Sequence, residues 1–239
     1  MNLEEEYLAP RCTPTNLHDY LVRTAILQAL KETLPRFSGT LLDIGSGYMP
    51  YKSLVLEPPS NAQKYIGLDF KDNLYQPPDL EWDGETIPLE DNAVDCAMAT
   101  ELLEHCPQPE QVLREALRVL KPGGLLFFTV PFLWPLHCVP NDEYRYTPFA
   151  LTRHLKNSGF EQIELKALGG WDASLAQIIG QWVIDRPMSP RKRAILSRLA
   201  LPVFWLLAKA DKPPLKFEEG SMITGLSGIA IKPSSREDR

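Results

Sequence analysis

The chain has 239 residues, of which 44% are hydrophobic and 23% charged, and its net charge is −6. That is enough apolar material for the core of one α/β domain with additions. The acidic balance excludes a phosphate backbone as the main partner, because nucleic-acid binders are usually basic. Cys12, Cys96, Cys106 and Cys138 are scattered without metal-ligand spacing, so they read as reduced thiols of a cytoplasmic protein and no metal is expected. The first ten residues, MNLEEEYLAP, are acidic and lack the apolar core of a secretory signal. No uncharged apolar run reaches the about 18 residues of a spanning helix.

Taken in order, residues 16–35 have a helical pattern. Leu17, Leu21, Ala25, Leu27, Leu30 and Leu34 recur near a 3.6-residue spacing, and Asn16 is placed to cap the start. Gly39 releases the short apolar run TLLDI. YIGLDF (65–70), VDCAMAT (94–100) and GLLFFTVP (124–131) follow as buried strands. Between them, PEQVLREALRVLK (109–121) puts Val112, Leu113, Ala116, Leu117 and Leu120 on one helical face, with Pro109 in the first turn and Pro122-Gly123-Gly124 as the stop. TPFALTRHLKNSGF (147–160) reads as a helix with Thr147 as N-cap and Gly159 as stop. FEQIELKAL (160–168) and SMITGLSGIAIKP (221–233) alternate like strands. Strand and helix in alternation predict a parallel sheet with helices on both faces. The long segment 171–220 is expected to be a helical insertion, because structureless loops of that length are uncommon. The whole chain, 1–239, is read as one domain, with 36–168 as its ligand-binding core.

The stretch LLDIGSGYMPY (41–51) runs from a strand into a glycine loop. Gly45 and Gly47 allow a tight turn and a close approach to a ligand, and Asp69, at the end of the next strand, is placed to accept hydrogen bonds from ribose hydroxyls. A dinucleotide is disfavoured: Pro50 stands where the third glycine would be, no Lys or Arg lies in the loop, and Asp43 would repel a pyrophosphate. An acid beside the loop suits a ligand with an amino group, such as S-adenosylmethionine, which has a ribose, a sulfonium cation and no phosphate.

LLDIGSG, YIGLD, WDGETIPLEDNAVD and ELLEHCPQPEQVLREALRVLKPGGLLFFTVP together resemble the class I S-adenosylmethionine-dependent methyltransferases, and within them the type 11 group. The resemblance spans roughly 36–168 and implies a seven-stranded Rossmann-like sheet whose last strand is antiparallel. It implies that Asp43, Gly45, Ser46 and Gly47 cradle the methionine part of the cofactor and that Asp69, with Phe70 beside it, meets the ribose. It implies that Asp83 and Gly84 flank the adenine, and that Thr100 and Glu101 lie beside the sulfonium. The family's loop often has a third glycine where this chain has Met49, a departure shared by a subset of type 11 enzymes whose loop ends in Pro-Tyr.

The stretch 131–151 concentrates polar and aromatic groups and looks like the H-x-x-P-x-D-x-x-R-Y-T pattern of type 11 enzymes of sugar and cell-envelope biosynthesis. The expected activity is therefore O-methylation of a sugar, a glycolipid-like or another small or lipid-linked acceptor. A quinone-like acceptor and a non-catalytic partner subunit are the alternatives. His137 is the first candidate for general base because imidazole titrates near neutrality. Asp142 is expected to orient it or take the proton itself, and His105 is the rival base. Trp134, Tyr144, Arg145 and Tyr146 are candidate substrate contacts, with an internal Asp142–Arg145 ion pair as the plainer role of those two.

Residues 191–210 are strongly apolar in the middle and begin with Arg191-Lys192-Arg193; Pro202 is expected to kink the helix or start a new one. This segment reads as a lid, a dimer contact, or an amphipathic element lying on a membrane surface.

Overall fold

The apolar runs assemble into a single sheet in a computed structural model of the chain, which describes residues 3–234. The strands are β1 (Ser38–Ile44), β2 (Asn61–Phe70), β3 (Leu80–Trp82), β4 (Val94–Thr100), β5 (Leu120–Pro131), β6 (Glu161–Ala167) and β7 (Gly225–Ile231). Their order is β3-β2-β1-β4-β5-β7-β6. β1 to β5 pair in parallel, and β7 runs antiparallel between β5 and β6. The helices are α1 (Tyr20–Thr33), α2 (Lys52–Val55), α3 (Pro109–Val119), α4 (Pro148–Asn157), α5 (Trp171–Ile184) and α6 (Pro190–Ala210).

The central strands are apolar throughout because both faces are covered. Leu42, Ile44 and Phe128 point into one core with Val112, Leu113 and Ala116 of α3 and Leu151 and Leu155 of α4. Leu41 and Phe127, one residue away in each strand, point into the other core with Leu27 and Leu30 of α1. A smaller cluster of Leu17, Ala176 and Phe204 fastens α5 and α6 to the segment before α1.

Several details differ from the sequence reading. Asn16 does not cap α1: its side chain accepts from the Thr13 N–H at 2.8 Å in a preceding turn, and the helix starts at Tyr20. β2 begins at Asn61, since pairing with Ser38 and Gly39 extends it beyond its apolar part. β3 has only three residues, too few to show a period, and is recognised by its pairing with Leu68–Phe70. α3 ends at Val119, and the Lys-Pro-Gly-Gly turn belongs to β5, held by Gly123 N–H on the Lys232 carbonyl at 3.0 Å. α6 continues through Pro202 without interruption. β7 occupies only Gly225–Ile231 of the alternating stretch 221–233, and β1 begins at Ser38, before TLLDI; the insertion is helical, as read, and Thr147 Oγ1 caps α4 by accepting from Ala150 N–H at 3.2 Å. Among the described residues, no helix is long and apolar enough to cross a membrane.

Candidate functional site

The loops that leave the C-terminal ends of β1, β2, β4 and β5 meet at one edge of the sheet, where ligands of open α/β sheets bind. Gly45 turns the chain at φ +73°, and a Cβ there would stand 2.7 Å from Leu102 Cδ1. The N–H groups of Gly45 and Ser46 donate to the Leu68 carbonyl at 2.9 and 3.1 Å, which ties the loop to β2. Asp69 completes the tie: its carboxylate accepts from Gly47 N–H and from Phe70 N–H, each at 2.7 Å. Met49 takes a left-handed φ of 50°, a conformation that favours glycine, and its side chain is buried under Gly67. Tyr51 is buried edge-on against Tyr7.

Gly45, Ser46, Gly47, Thr100 and Glu101 line one cleft of about 230 Å³ together with Trp134 and His137. Phe70, Asp83 and Gly84 line an adjoining cavity of about 260 Å³, where Phe70 stacks on Trp82 with ring centres 5.7 Å apart. His105 borders both spaces. Asp69 holds the loop of the first cavity while its neighbour Phe70 walls the second, so the expected ribose position falls at the junction. Asp83 shapes its own turn by accepting from Glu85 and Thr86 N–H at 2.8 Å.

Asp43 does not reach the cleft. It is buried beneath the loop, where one oxygen accepts from the Tyr65 hydroxyl and the other has no partner. Burial pushes its carboxyl up to about 7, against the Tyr65 hydrogen bond. Of the acids expected at the loop, the one that does line the cleft is Glu101, at φ 51°, whose carboxylate accepts from the Thr129 hydroxyl at 2.8 Å. Burial also raises Glu101 to about 7. Behind it lies Glu104, wholly buried, with neither carboxylate oxygen hydrogen-bonded. Burial and the nearby Glu101 hold its carboxyl well above the ordinary range. Of these three acids only Glu101 borders the cleft, and an acid kept from easy ionisation there gains most from a cationic neighbour. The tight backbone turn at Gly45 and Gly47, set beside the raised acid Glu101 in the same cleft, suits a ligand carrying an amino group and a sulfonium.

The loop after β5 places its residues unequally. Trp134 and His137 face the cleft; Asp142, Tyr144, Arg145 and Tyr146 do not. Arg145 forks onto Asp142 at 2.7 and 2.8 Å, and it also donates to the carbonyls of Tyr144 (2.8 Å) and Pro135 (3.2 Å). Its guanidinium is spent inside the loop. The same hydrogen bonds hold the Asp142 carboxyl down to about 2, so Asp142 is a weak proton acceptor and serves to orient. It lies 3.4 Å from His137 Nδ1 and accepts from the His137 N–H at 3.1 Å. Burial lowers the His137 imidazole from its ordinary value, with Asp142 opposing, so the ring is neutral near pH 7 and free to take a proton. Tyr146 is buried, its hydroxyl donating to the Leu103 carbonyl at 2.9 Å, and Tyr144 stacks on it. Both tyrosines pack the loop, because their rings have apolar neighbours on the side away from the cleft.

His105 contacts the carbonyl of Asn141 through Nδ1 at 2.7 Å, and its ring meets that of His137 edge-on, 4.8 Å between centres. With Cys138 these two histidines offer three donor atoms within 4.8 Å of one another. That spread is wider than the roughly 3.5 Å between ligands on tetrahedral bonds of about 2.0–2.3 Å, so the trio is not a formed zinc site as it stands. Sequence reasoning missed Arg23 on α1, Asp19 just before it, and the rings of Tyr7, Tyr48 and Tyr75, all of which line the cleft. The signal for the first two was their four-residue spacing on the polar side of a helix read only for its apolar side.

A family model for the type 11 methyltransferase domain matches residues 42–128. An uncharacterized methyltransferase of Mycobacteroides abscessus is 33% identical over 96 residues, 39% of this chain and 36% of that protein. The ubiquinone/menaquinone biosynthesis C-methyltransferase UbiE of Bartonella tribocorum is 29% identical over 126 residues, 40% of this chain and 48% of that one. The chain spans less than half the length of these relatives. A putative sarcosine dimethylglycine methyltransferase of Galdieria sulphuraria superposes with a TM-score of 0.56 over 96% of each chain at 16% identity, a likeness of fold. Matched domain, sheet order and a glycine loop clamped by a strand-end acid agree, and residues 42–128 form a type 11 methyltransferase domain on the sheet of a class I S-adenosylmethionine-dependent methyltransferase.

Proposed function

We propose that the protein transfers a methyl group from S-adenosylmethionine to an oxygen of a small-molecule acceptor of the sugar or glycolipid-like kind. The observation that carries this reading is the pairing, in one cleft, of the glycine loop with a neutral His137 held by an Asp142–Arg145 ion pair. When bound, the cofactor supplies an electrophilic methyl on a sulfonium centre. The loop at 45–47 and Asp69 hold the methionine and ribose parts, and Phe70, Asp83 and Gly84 receive the adenine. Glu101 offers negative charge next to the sulfonium. Trp134 gives the acceptor a flat apolar wall, and good alignment of the reacting atoms is worth about 7–11 kcal/mol in favourable cases. His137 Nε2 takes the hydroxyl proton while Asp142 keeps the ring in place. A quinone-like acceptor is the second reading, favoured by the rings of Tyr7, Tyr48 and Tyr75 around the cleft and by the likeness to UbiE.

Isothermal titration with S-adenosylhomocysteine and with NAD tests the cofactor: the first is expected to bind and the second not, and the converse overturns the reading. A labelled-methyl assay over sugar, glycolipid and quinol acceptors then separates the two acceptor classes. With the acceptor found, His137→Ala is expected to lower kcat by about 10²–10⁴-fold with cofactor affinity unchanged. Because the imidazole is lowered from 6.5, kcat should hold through pH 6.5 and fall only below it, as the ring gains a proton. Near-normal turnover of the alanine variant at its pH optimum would remove His137 from the mechanism.

A further inference from the structure

The solvent face of the α5–α6 pair reverses the pattern of an ordinary surface helix. Every exposed position of α5 is apolar: Trp171, Leu175, Ile178 and Trp182 are 67, 50, 46 and 47% exposed. Their spacings of four, three and four residues place them in one ridge. On α6, Ile195, Leu199, Val203 and Leu206 form a second ridge with exposures of 59, 67, 49 and 61%. These ridges are distinct from the side chains that fasten the pair to the domain, where Ala176 and Phe204 are fully buried. Exposed apolar groups in such continuity mark a surface meant to be covered.

Charge says what covers it. From Arg186 to Ala210 there are six cations and no acid, in a chain whose net charge is −6. Arg191, Lys192 and Arg198 are exposed on α6 among the ridge residues. The two tryptophans next to cations are arranged as at a water–lipid boundary: the Arg186 guanidinium lies 4.0 Å from the Trp182 ring centre and the Lys209 ammonium 4.9 Å from that of Trp205. A second copy of the chain would bring like charges together on this face. An anionic bilayer surface satisfies both features, because an interfacial element sinks its apolar side into the headgroup boundary and sets its cations against lipid phosphates.

We propose that the α5–α6 pair is a docking surface for an anionic membrane, with both ridges seated at the headgroup boundary. Gln177 Nε2 donates to the Leu133 carbonyl, next to Trp134, so the docked element touches the rim of the cleft. An acceptor held in the bilayer would thus be met at the surface where it resides. The docking itself does not depend on the reaction proposed above.

The test is co-sedimentation of the full chain with phosphatidylcholine vesicles, with and without phosphatidylglycerol. The wild type is expected in the pellet with the anionic vesicles and in the supernatant with the neutral ones. Arg191→Gln with Lys192→Gln should lower the partition coefficient about 25-fold, at about fivefold for each charge. Leu199→Asp should move the protein to the supernatant with an unchanged thermal midpoint, since the side chain it replaces is exposed. Wild-type protein left in the supernatant, or equal recovery on neutral vesicles, overturns the proposal. So does a Leu199→Asp variant that turns a dimer into a monomer while pelleting like the wild type, which would make the face a subunit contact.

Discussion

Asp69→Ala is expected to weaken S-adenosylhomocysteine binding by about 10²–10⁴-fold in isothermal titration. Both oxygens of this carboxylate accept backbone N–H groups at 2.7 Å, one from Gly47 in the glycine loop and one from Phe70, which walls the second cavity. Hydrogen bonds to a charged group are worth about 1.5–3 kcal/mol each, so losing two removes about 3–6 kcal/mol of loop order before any contact with the ribose is counted. Asp69→Asn keeps the shape but turns an NH₂ donor toward one of the two N–H donors. It should therefore bind almost as poorly as the alanine variant. An asparagine variant with wild-type affinity would remove the carboxylate from the role assigned to it.

Arg145→Ala is expected to lower the unfolding free energy by about 2–4 kcal/mol, measured by urea denaturation. The Asp142 side chain is only 2% exposed, and Arg145 is the cation that forks onto it. Removing the guanidinium leaves a buried carboxylate without its main partner. The pH dependence identifies the cause. The Asp142 carboxyl is held down to about 2 from an ordinary 3.8, so the ion pair contributes fully above 3.8 and its contribution fades as pH falls toward 2. The gap between variant and wild type should narrow over the same interval. Arg145→Lys should recover little, because one ammonium cannot make the fork and reach the carbonyls of Tyr144 and Pro135 together. A pH-independent gap would mean that packing of the arginine stem accounts for the loss.

The fold was legible where burial on both sheet faces forces continuous apolar runs, as in Val94–Thr100, whose limits match the sequence reading residue for residue. It was not legible at Leu80–Trp82, where a neighbour's backbone defines the strand, nor at Asn16, whose side chain found a closer partner in Thr13. The site divides in the same way. Gly45, Gly47 and Asp69 could be placed because their spacing follows from backbone geometry. Glu104 could not, since a buried acid without a partner leaves no periodic trace. Tyr144, Arg145 and Tyr146 were candidate substrate contacts by residue type and by their place in the loop, and the structure leaves them out of the cleft lining. Composition shows that a loop is rich in reactive groups, but which of them turn inward depends on packing against the Leu103 carbonyl and the Pro107 backbone.

Met49 and Gly67 show how the loop tolerates its unusual sequence. The side chain absent at 67 and the one present at 49 claim the same volume: a Cβ on Gly67 would stand 2.8 Å from the Met49 sulfur. The two positions are therefore one unit of variation. Bulk added at 67 would have to push the end of the Met49 side chain aside, so substitutions at the two positions are coupled rather than additive.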